Sequence, residues 1–396
     1  MRIKSLKLNL LMAGALIAAP GMVAQTTDDT EARQQTVIVT GSPIRDSQQA
    51  AIDAKRNADN VVDIIAADTI GRFPDQNLAD SLGRLPGIAI ERDQGQARFI
   101  NFRGAPFRYT AIAFDGVQVP GAENGRTPRF DSFPSVITSS VEANKAITPD
   151  MPGEAVAGFV NIRTFSPFDR QGLGVSLEAG YGEQELGGGP VSKLNGRISW
   201  SSDQLGLVAF ASKNRREQVT DNREYDLSFN TNGDYLVSQL DFRSYFVNRE
   251  DNAWGGKIEL RPSEGPFSRL FATTLYTDFI DEEERTQFVF QFGAGAAARR
   301  GTLTPGETGY EPLVIVRRLL QDGEYDNSTF TNTLGAELEL GAWALDARLN
   351  YTETENNTFL PIPFSVGTAA GSYDITDLND PLVNVFATVH TDTDPP

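Results

Sequence analysis

The sequence of 396 residues has no cysteine and a single histidine, His390. Thiol nucleophiles, disulfides, Cys/His metal sites and histidine-based triads are therefore excluded together. Positive charge is also scarce: 53 acidic residues against 35 basic ones leave a formal charge of −18. A nucleic-acid groove requires the opposite balance, because phosphates are neutralised by Lys and Arg, so no nucleic-acid partner is expected. Long apolar runs are missing as well. The longest, Leu8 to Ala19, is shorter than the roughly 20 residues of a membrane-spanning helix. No nucleophile elbow, phosphate-cradling loop, HExxH helix or EF-hand spacing is found, and Gly187-Gly188-Gly189 and Gly293-Ala294-Gly295 read as loops. The expectation is a protein that is not an enzyme, with no catalytic residue, cofactor or metal.

What is present begins with an address. Arg2, Lys4 and Lys7 precede the apolar run, and Gly21-Met22-Val23-Ala24 offers a cleavage stretch, the pattern of a signal peptide over residues 1–24. Residues 25–44 read as a flexible leader holding one β-prone run, Thr36-Val37-Ile38-Val39-Thr40, closed by Gly41-Ser42-Pro43. From 45 to 166 the signals are mixed. One amphipathic helix is expected over Asp75 to Leu85, stopped by Pro86-Gly87. Strands are expected at Ile88 to Glu91, Arg98 to Arg103, Thr110 to Phe114, Val141 to Ile147 and Phe159 to Thr164.

From about 170 to 396 the period becomes two. Leu173, Val175, Leu177, Ala179 and Tyr181 alternate with Gly174, Ser176, Glu178 and Gly180; Trp254, Ile258 and Leu260 alternate with Lys257, Glu259 and Arg261. A wall with lipid on one face and a polar lumen on the other requires this pattern. A soluble sandwich alternates too, but turn lengths favour the barrel. Short connections at Ser202 to Leu205, Pro262 to Pro266 and Gly341-Ala342 alternate with long ones at about 218–250 and 286–324. Phe330 to Leu340 breaks the rule once, with Asn332 on the apolar side.

Several ordered blocks resemble TonB-dependent outer-membrane receptors. Thr36-Val37-Ile38-Val39-Thr40-Gly41 looks like the TonB box, and Leu78-Ala79-Asp80-Ser81-Leu82-Gly83-Arg84-Leu85-Pro86-Gly87-Ile88 is similar to the plug helix with its turn. Ile100-Asn101-Phe102-Arg103-Gly104, Ala113-Phe114-Asp115-Gly116-Val117-Gln118-Val119, Ser140-Val141-Glu142-Ala143-Asn144-Lys145 and Ala157-Gly158-Phe159-Val160-Asn161-Ile162 resemble later plug strands. Ala54-Lys55-Arg56-Asn57-Ala58 and Gly71-Arg72-Phe73-Pro74-Asp75-Gln76-Asn77 are similar to a proteobacterial subgroup linked to glycan uptake. Gly153 and Gly158 would make the sharp bends before the last plug strand.

The resemblance implies a mixed α+β plug followed by a transmembrane antiparallel β-barrel, with about 7 strands here of about 22 in the family. An incomplete wall would leave an unpaired edge and an exposed apolar face. The implied activity is active transport of a scarce nutrient, carbohydrate favoured and siderophore or haem iron the alternative. Thr36, Val37, Ile38, Val39 and Thr40 would contact TonB, itself driven by ExbB–ExbD, and the barrel assembly machinery would insert the chain among outer-membrane lipids. Ligand candidates are Glu123, Asn124, Arg126 and Arg129 in the polar run before Phe133. Arg126 and Arg129 could instead pair with wall carboxylates. Rival readings are a passive porin or adhesin, which would lack the plug, and a secreted glycan-degrading enzyme, for which no carboxylate pair stands out.

Overall fold

The computed structural model of the protein describes residues 37–39, 44–66, 77–121, 129–130, 133, 135–149, 151–229, 232–292 and 303–386. The signal peptide, Thr36, Thr40, Glu123, Asn124, Arg126 and His390 lie outside them.

The first part of the chain is a small α+β unit. Its five-stranded sheet runs in the order β2 (Val62–Ala66), β7 (Thr138–Asn144), β8 (Gly158–Thr164), β5 (Thr110–Phe114) and β6 (Val117–Gln118). The β5–β8 pair is parallel and the others antiparallel. A separate hairpin joins β3 (Ile88–Asp93) to β4 (Gln96–Phe102), and two helices, α1 (Ile44–Asn57) and α2 (Leu78–Leu82), precede it. Asn77 caps α2 by accepting the Asp80 N–H at 3.2 Å, satisfying one of the free donors of the first turn. Leu78 and Leu82 face inward with Ile100, Phe102, Ile112, Phe130, Ile137, Val141 and Ile162, all almost wholly buried. At about 1.5–3 kcal/mol for each large apolar side chain removed from water, this core is the main term holding the unit together.

The expected helix proves shorter within the described residues, and three strands or helices were not anticipated: α1, which ends on the Ala54-to-Asn57 stretch, β2 and the two-residue β6. Gly153 and Gly158 do not adopt left-handed backbone. Gly158 is required for packing instead: an added Cβ would lie 2.6 Å from the Phe102 ring.

The second part is one curved antiparallel sheet. Its strands are β9 (Gly172–Glu183), β10 (Pro190–Ser201), β11 (Leu205–Phe229), β12 (Tyr235–Leu260), β13 (Phe267–Phe292), β14 (Thr308–Leu340), β15 (Trp343–Phe359), β16 (Phe364–Asp374) and β17 (Leu382–Phe386). The expected count of seven becomes nine described strands. The difference comes from β16 and β17. Both β15 and β16 lie along the same edge of β14 with no change of register: Glu324 faces Phe359 before the break and Leu319 faces Phe364 after it. Pro361 and Pro363 occupy the gap and accept from Asp322 and Leu320, but cannot donate back. The two segments thus form one long wall strand with a proline seam.

The long connections expected at 218–250 and 286–324 are a second correction. Most of those residues extend β11, β12, β13 and β14, which run 25, 26, 26 and 33 residues. The short turns are present, and Gly341 makes the tightest one with φ +63, the geometry a two-residue hairpin needs. Among the described residues the wall is not closed. At one edge β1 (Val37–Val39) pairs antiparallel with β9, setting Ile38 opposite Glu178, and at the other β17 pairs with β16.

Replacing Gly158 by Ala should therefore push the Phe102 ring aside and destabilise the small unit by about 1–3 kcal/mol. Hydrogen exchange of the β4 and β8 amides measures this; unchanged protection would show that the ring gives way at no cost.

Candidate functional site: the seam between plug and wall

The inward face of the wall meets the small unit along two polar seams. The first is built on the β5–β6 turn. Asp115 holds φ +47 and Gly116 φ +81, a left-handed pair that turns the chain and aims the Asp115 carboxylate back toward the end of β8. There it accepts the Thr164 N–H at 2.9 Å and the Thr164 hydroxyl at 2.5 Å. Lys257 of β12 reaches in from the wall, 3.1 Å from Asp115 Oδ2 and 2.5 Å from Thr164 Oγ1. Only 3% of the Lys257 side chain is exposed, and Asp115 is its one ion-pair partner among the described residues. Burial pushes the Asp115 carboxyl pKa up, but the Lys257 charge and the Thr164 hydrogen bonds outweigh it and hold the group ionised below the usual range. Arg348 of β15 donates to the Asp115 carbonyl.

The second seam is at the tip of the β3–β4 hairpin. Gln94 and Gly95 turn with φ +48 and +81, and Gln94 donates to Glu283 at 2.6 Å. Arg249 donates to the side-chain carbonyl of Gln94 and, at 2.9 Å, to that of Gln96. Gln218 donates to the Gln94 backbone carbonyl. Arg249 is charge-paired inside the wall with Asp281 at 2.9 Å, the two side chains 2% and 6% exposed. The small unit therefore contributes neutral amides here and an ionised carboxylate at the first seam. A neutral hydrogen bond adds about 0.5–1.5 kcal/mol net, whereas removing one partner of a buried ion pair costs about 3–5 kcal/mol.

Beside the first seam, the segment that leaves β8 is gripped by β10 and the end of β12. Arg197 stacks on Phe165 with 3.2 Å from guanidinium carbon to ring centroid, and Arg261 on Phe168 with 4.2 Å. Ser166 donates to the buried Glu259 at 3.0 Å, which also holds Arg261 and Arg269. Of the ligand candidates only Arg129 is described. It is buried, and its guanidinium stacks 4.4 Å from the Phe279 ring of β13. Glu142 pairs with Arg163 and accepts from the Asn161 amide. Asp115, Lys257, Gln94 and Arg249 were not singled out from the sequence. The Asp-Gly turn was visible; its wall partner lies more than a hundred residues away.

A third cluster lies within the small unit. Asp63 on β2 is held by Lys55 of α1 and Lys145 after β7, and Lys145 also donates to the Pro86 carbonyl. Burial raises the Asp63 pKa, but the hydrogen bonds and charges of the two lysines more than offset it, so the carboxyl titrates below its usual range. The stabilisation is complete above the unfolded value of about 3.9 and is lost as pH falls through the lower folded value. Asp63→Asn should abolish this acid-side slope and lower stability at neutral pH, measured as denaturation midpoints between pH 7 and 3. Equal losses of midpoint in both proteins on acidification would contradict it.

Residues 54–159 match the family described as TonB-dependent Receptor Plug Domain. Over 151 residues the chain is 27% identical to the vitamin B12 transporter BtuB of Vibrio vulnificus (strain CMCP6), covering 36% of this chain and 25% of that protein. The siderophore receptor PirA from Pseudomonas aeruginosa superposes with a TM-score of 0.35 at 16% identity, covering 80% of this chain and 64% of the receptor. The ferric citrate transporter FecA, in its unliganded form, gives 0.38 at 10% identity, covering 82% and 61%. The chain thus spans about a quarter of the curated relative it matches and about 60% of the solved receptors.

Proposed function

From the premise that the chain carries the plug and part of the barrel wall of a TonB-dependent receptor, we propose that it takes up a scarce nutrient across the outer membrane, with TonB supplying the energy. The observation that carries this reading is the plug itself, seated on the inward face of the wall through the Asp115–Lys257 and Gln94–Arg249 seams. A passive porin has no use for a domain so placed. Residues 1–24 would direct export, 25–44 form the leader, 45–166 the plug and 170–396 the wall. The barrel assembly machinery would insert that wall into the outer membrane.

Coupling would use Thr36, Val37, Ile38, Val39 and Thr40. Val37 to Val39 already add as a short strand to the edge of β9, and the same backbone groups can add to an edge in TonB, which ExbB–ExbD would drive. Only three residue pairs need to be exchanged. Glu123, Asn124 and Arg126 are proposed to meet the ligand, with Arg129, committed to Phe279, positioning their loop.

For the cargo, the likeness of residues 54–58 and 71–77 to the glycan-linked subgroup favours an oligosaccharide. The second reading is an iron chelate or a corrinoid, favoured by the stretch aligned with a vitamin B12 transporter.

Quantitative proteomics of outer membranes from cells fed single oligosaccharides, starved of iron or deprived of corrinoid separates the cargoes by which condition induces the protein. On the inducing nutrient, Ile38→Pro should leave outer-membrane abundance unchanged and remove growth on limiting amounts, because proline cannot donate to a partner strand. Wild-type growth of that variant would contradict energy coupling.

A further inference from the structure

The outward face of the wall is lined with large apolar side chains, among them Leu173, Val175, Leu177, Ile198, Trp200, Leu207, Trp254, Ile258, Leu334 and Leu349. One row interrupts it. Ala209, Gly256, Thr274 and Asn332 stand directly opposite one another across β11, β12, β13 and β14. The row above is Trp254, Tyr276 and Phe330, with the Trp254 and Tyr276 rings stacked at 5.6 Å; the row below is Leu207, Ile258, Ala272 and Leu334. Ile198 on β10 and Tyr351 on β15 continue the row at its two ends. The result is a groove of about 700 Å³ on the outward surface of the wall.

The groove is graded in chemistry. Its β11–β12 end has only Ala209 and Gly256, while its β13–β14 end has the Thr274 hydroxyl and the Asn332 amide, whose side chains have no hydrogen-bond partner among the described residues. It is also graded in depth. Gly256 lies four residues from the short-turn end of β12, and Asn332 eight from that of β14. At about 3.3 Å per residue and a strand tilt of about 40°, the polar end is about 10 Å nearer the outer surface than the apolar end. An apolar tail lying deep and a hydrogen-bonding group lying near the headgroups is the arrangement of an outer-leaflet lipid.

We infer that this groove is a lipid site that takes a hydroxylated acyl chain of an outer-leaflet glycolipid. The chain's hydroxyl and linking carbonyl meet Thr274 and Asn332, and its methylenes run over Gly256 and Ala209. The site is continuous with the membrane-facing belt, so lipid already surrounds it. A plain phospholipid chain has no hydroxyl for the Asn332 carbonyl to accept, and a wholly apolar groove would not discriminate between the two.

The test is native mass spectrometry of the detergent-extracted protein titrated with hexa-acylated lipid A or with phosphatidylethanolamine. Wild type should retain one lipid A at least tenfold more tightly than phosphatidylethanolamine. Thr274→Leu/Asn332→Leu, which fills the groove with side chains suited to a lipid face, should lose that preference while keeping wild-type heat-modifiable mobility. Ala209→Leu, at the far end, should also lose it, which covers a failure of the double variant to fold. Equal retention of the two lipids by wild type, or an unchanged preference in Ala209→Leu, would overturn the assignment.

Discussion

The ion pair of partly buried Asp115 and buried Lys257 is the constraint on which the arrangement of plug and wall depends. Each group is costly to bury alone, and each comes from a different part of the fold. The pair is satisfied only when the β5–β6 turn, the end of β8 and the middle of β12 meet in one register. Thr164 fixes this further, donating to the carboxylate while accepting from the ammonium. The hairpin seam has a different electrostatic character. Arg249 keeps its counter-charge, Asp281, in its own wall, so withdrawal of Gln94 and Gln96 leaves that guanidinium paired. Displacing Asp115 would strand Lys257 in a site where 3% of it reaches solvent.

How much of this could be read from the sequence follows from the same physics. The wall was legible where its two faces differ in polarity: apolar-out and polar-in gives period two, and β9 and the end of β12 were recognisable from their alternation. Beyond the Trp254–Tyr276 row that contrast disappears. Outward positions become Asn252, Glu250, Asp278, Glu282 and Glu284, as polar as the inward ones. With no alternation left, the ends of β11 through β14 read as loops. The strand β16 was missed for another reason, since Gly367, Ala369, Ala370 and Gly371 carry little apolar signal and Pro361 and Pro363 suggest a stop.

In the plug, α2 and the strands β4, β5 and β8 carry concentrated apolar residues and were anticipated. The strand β2 was hidden by Asp63 in the middle of an apolar run, a charge that makes sense only once Lys55 and Lys145 are folded beside it. The helix α1 is largely exposed along its second half and has little apolar face to announce it. The seam residues share this limitation. Each is an ordinary polar residue on the inward side of its own element, and its importance comes from a partner distant in sequence. Asn332 is the counter-example, a sequence irregularity that the structure places in a defined groove.

The most direct test of the account is a double-mutant cycle across the first seam, with Asp115→Asn, Lys257→Met and the pair together, read as hydrogen exchange of the β5 and β8 amides in the membrane-embedded protein. The account predicts that each single change raises exchange roughly a hundredfold or more, from a cost of about 3–5 kcal/mol, and that the double variant recovers most of that loss. Single changes without effect, or effects that simply add, would contradict it.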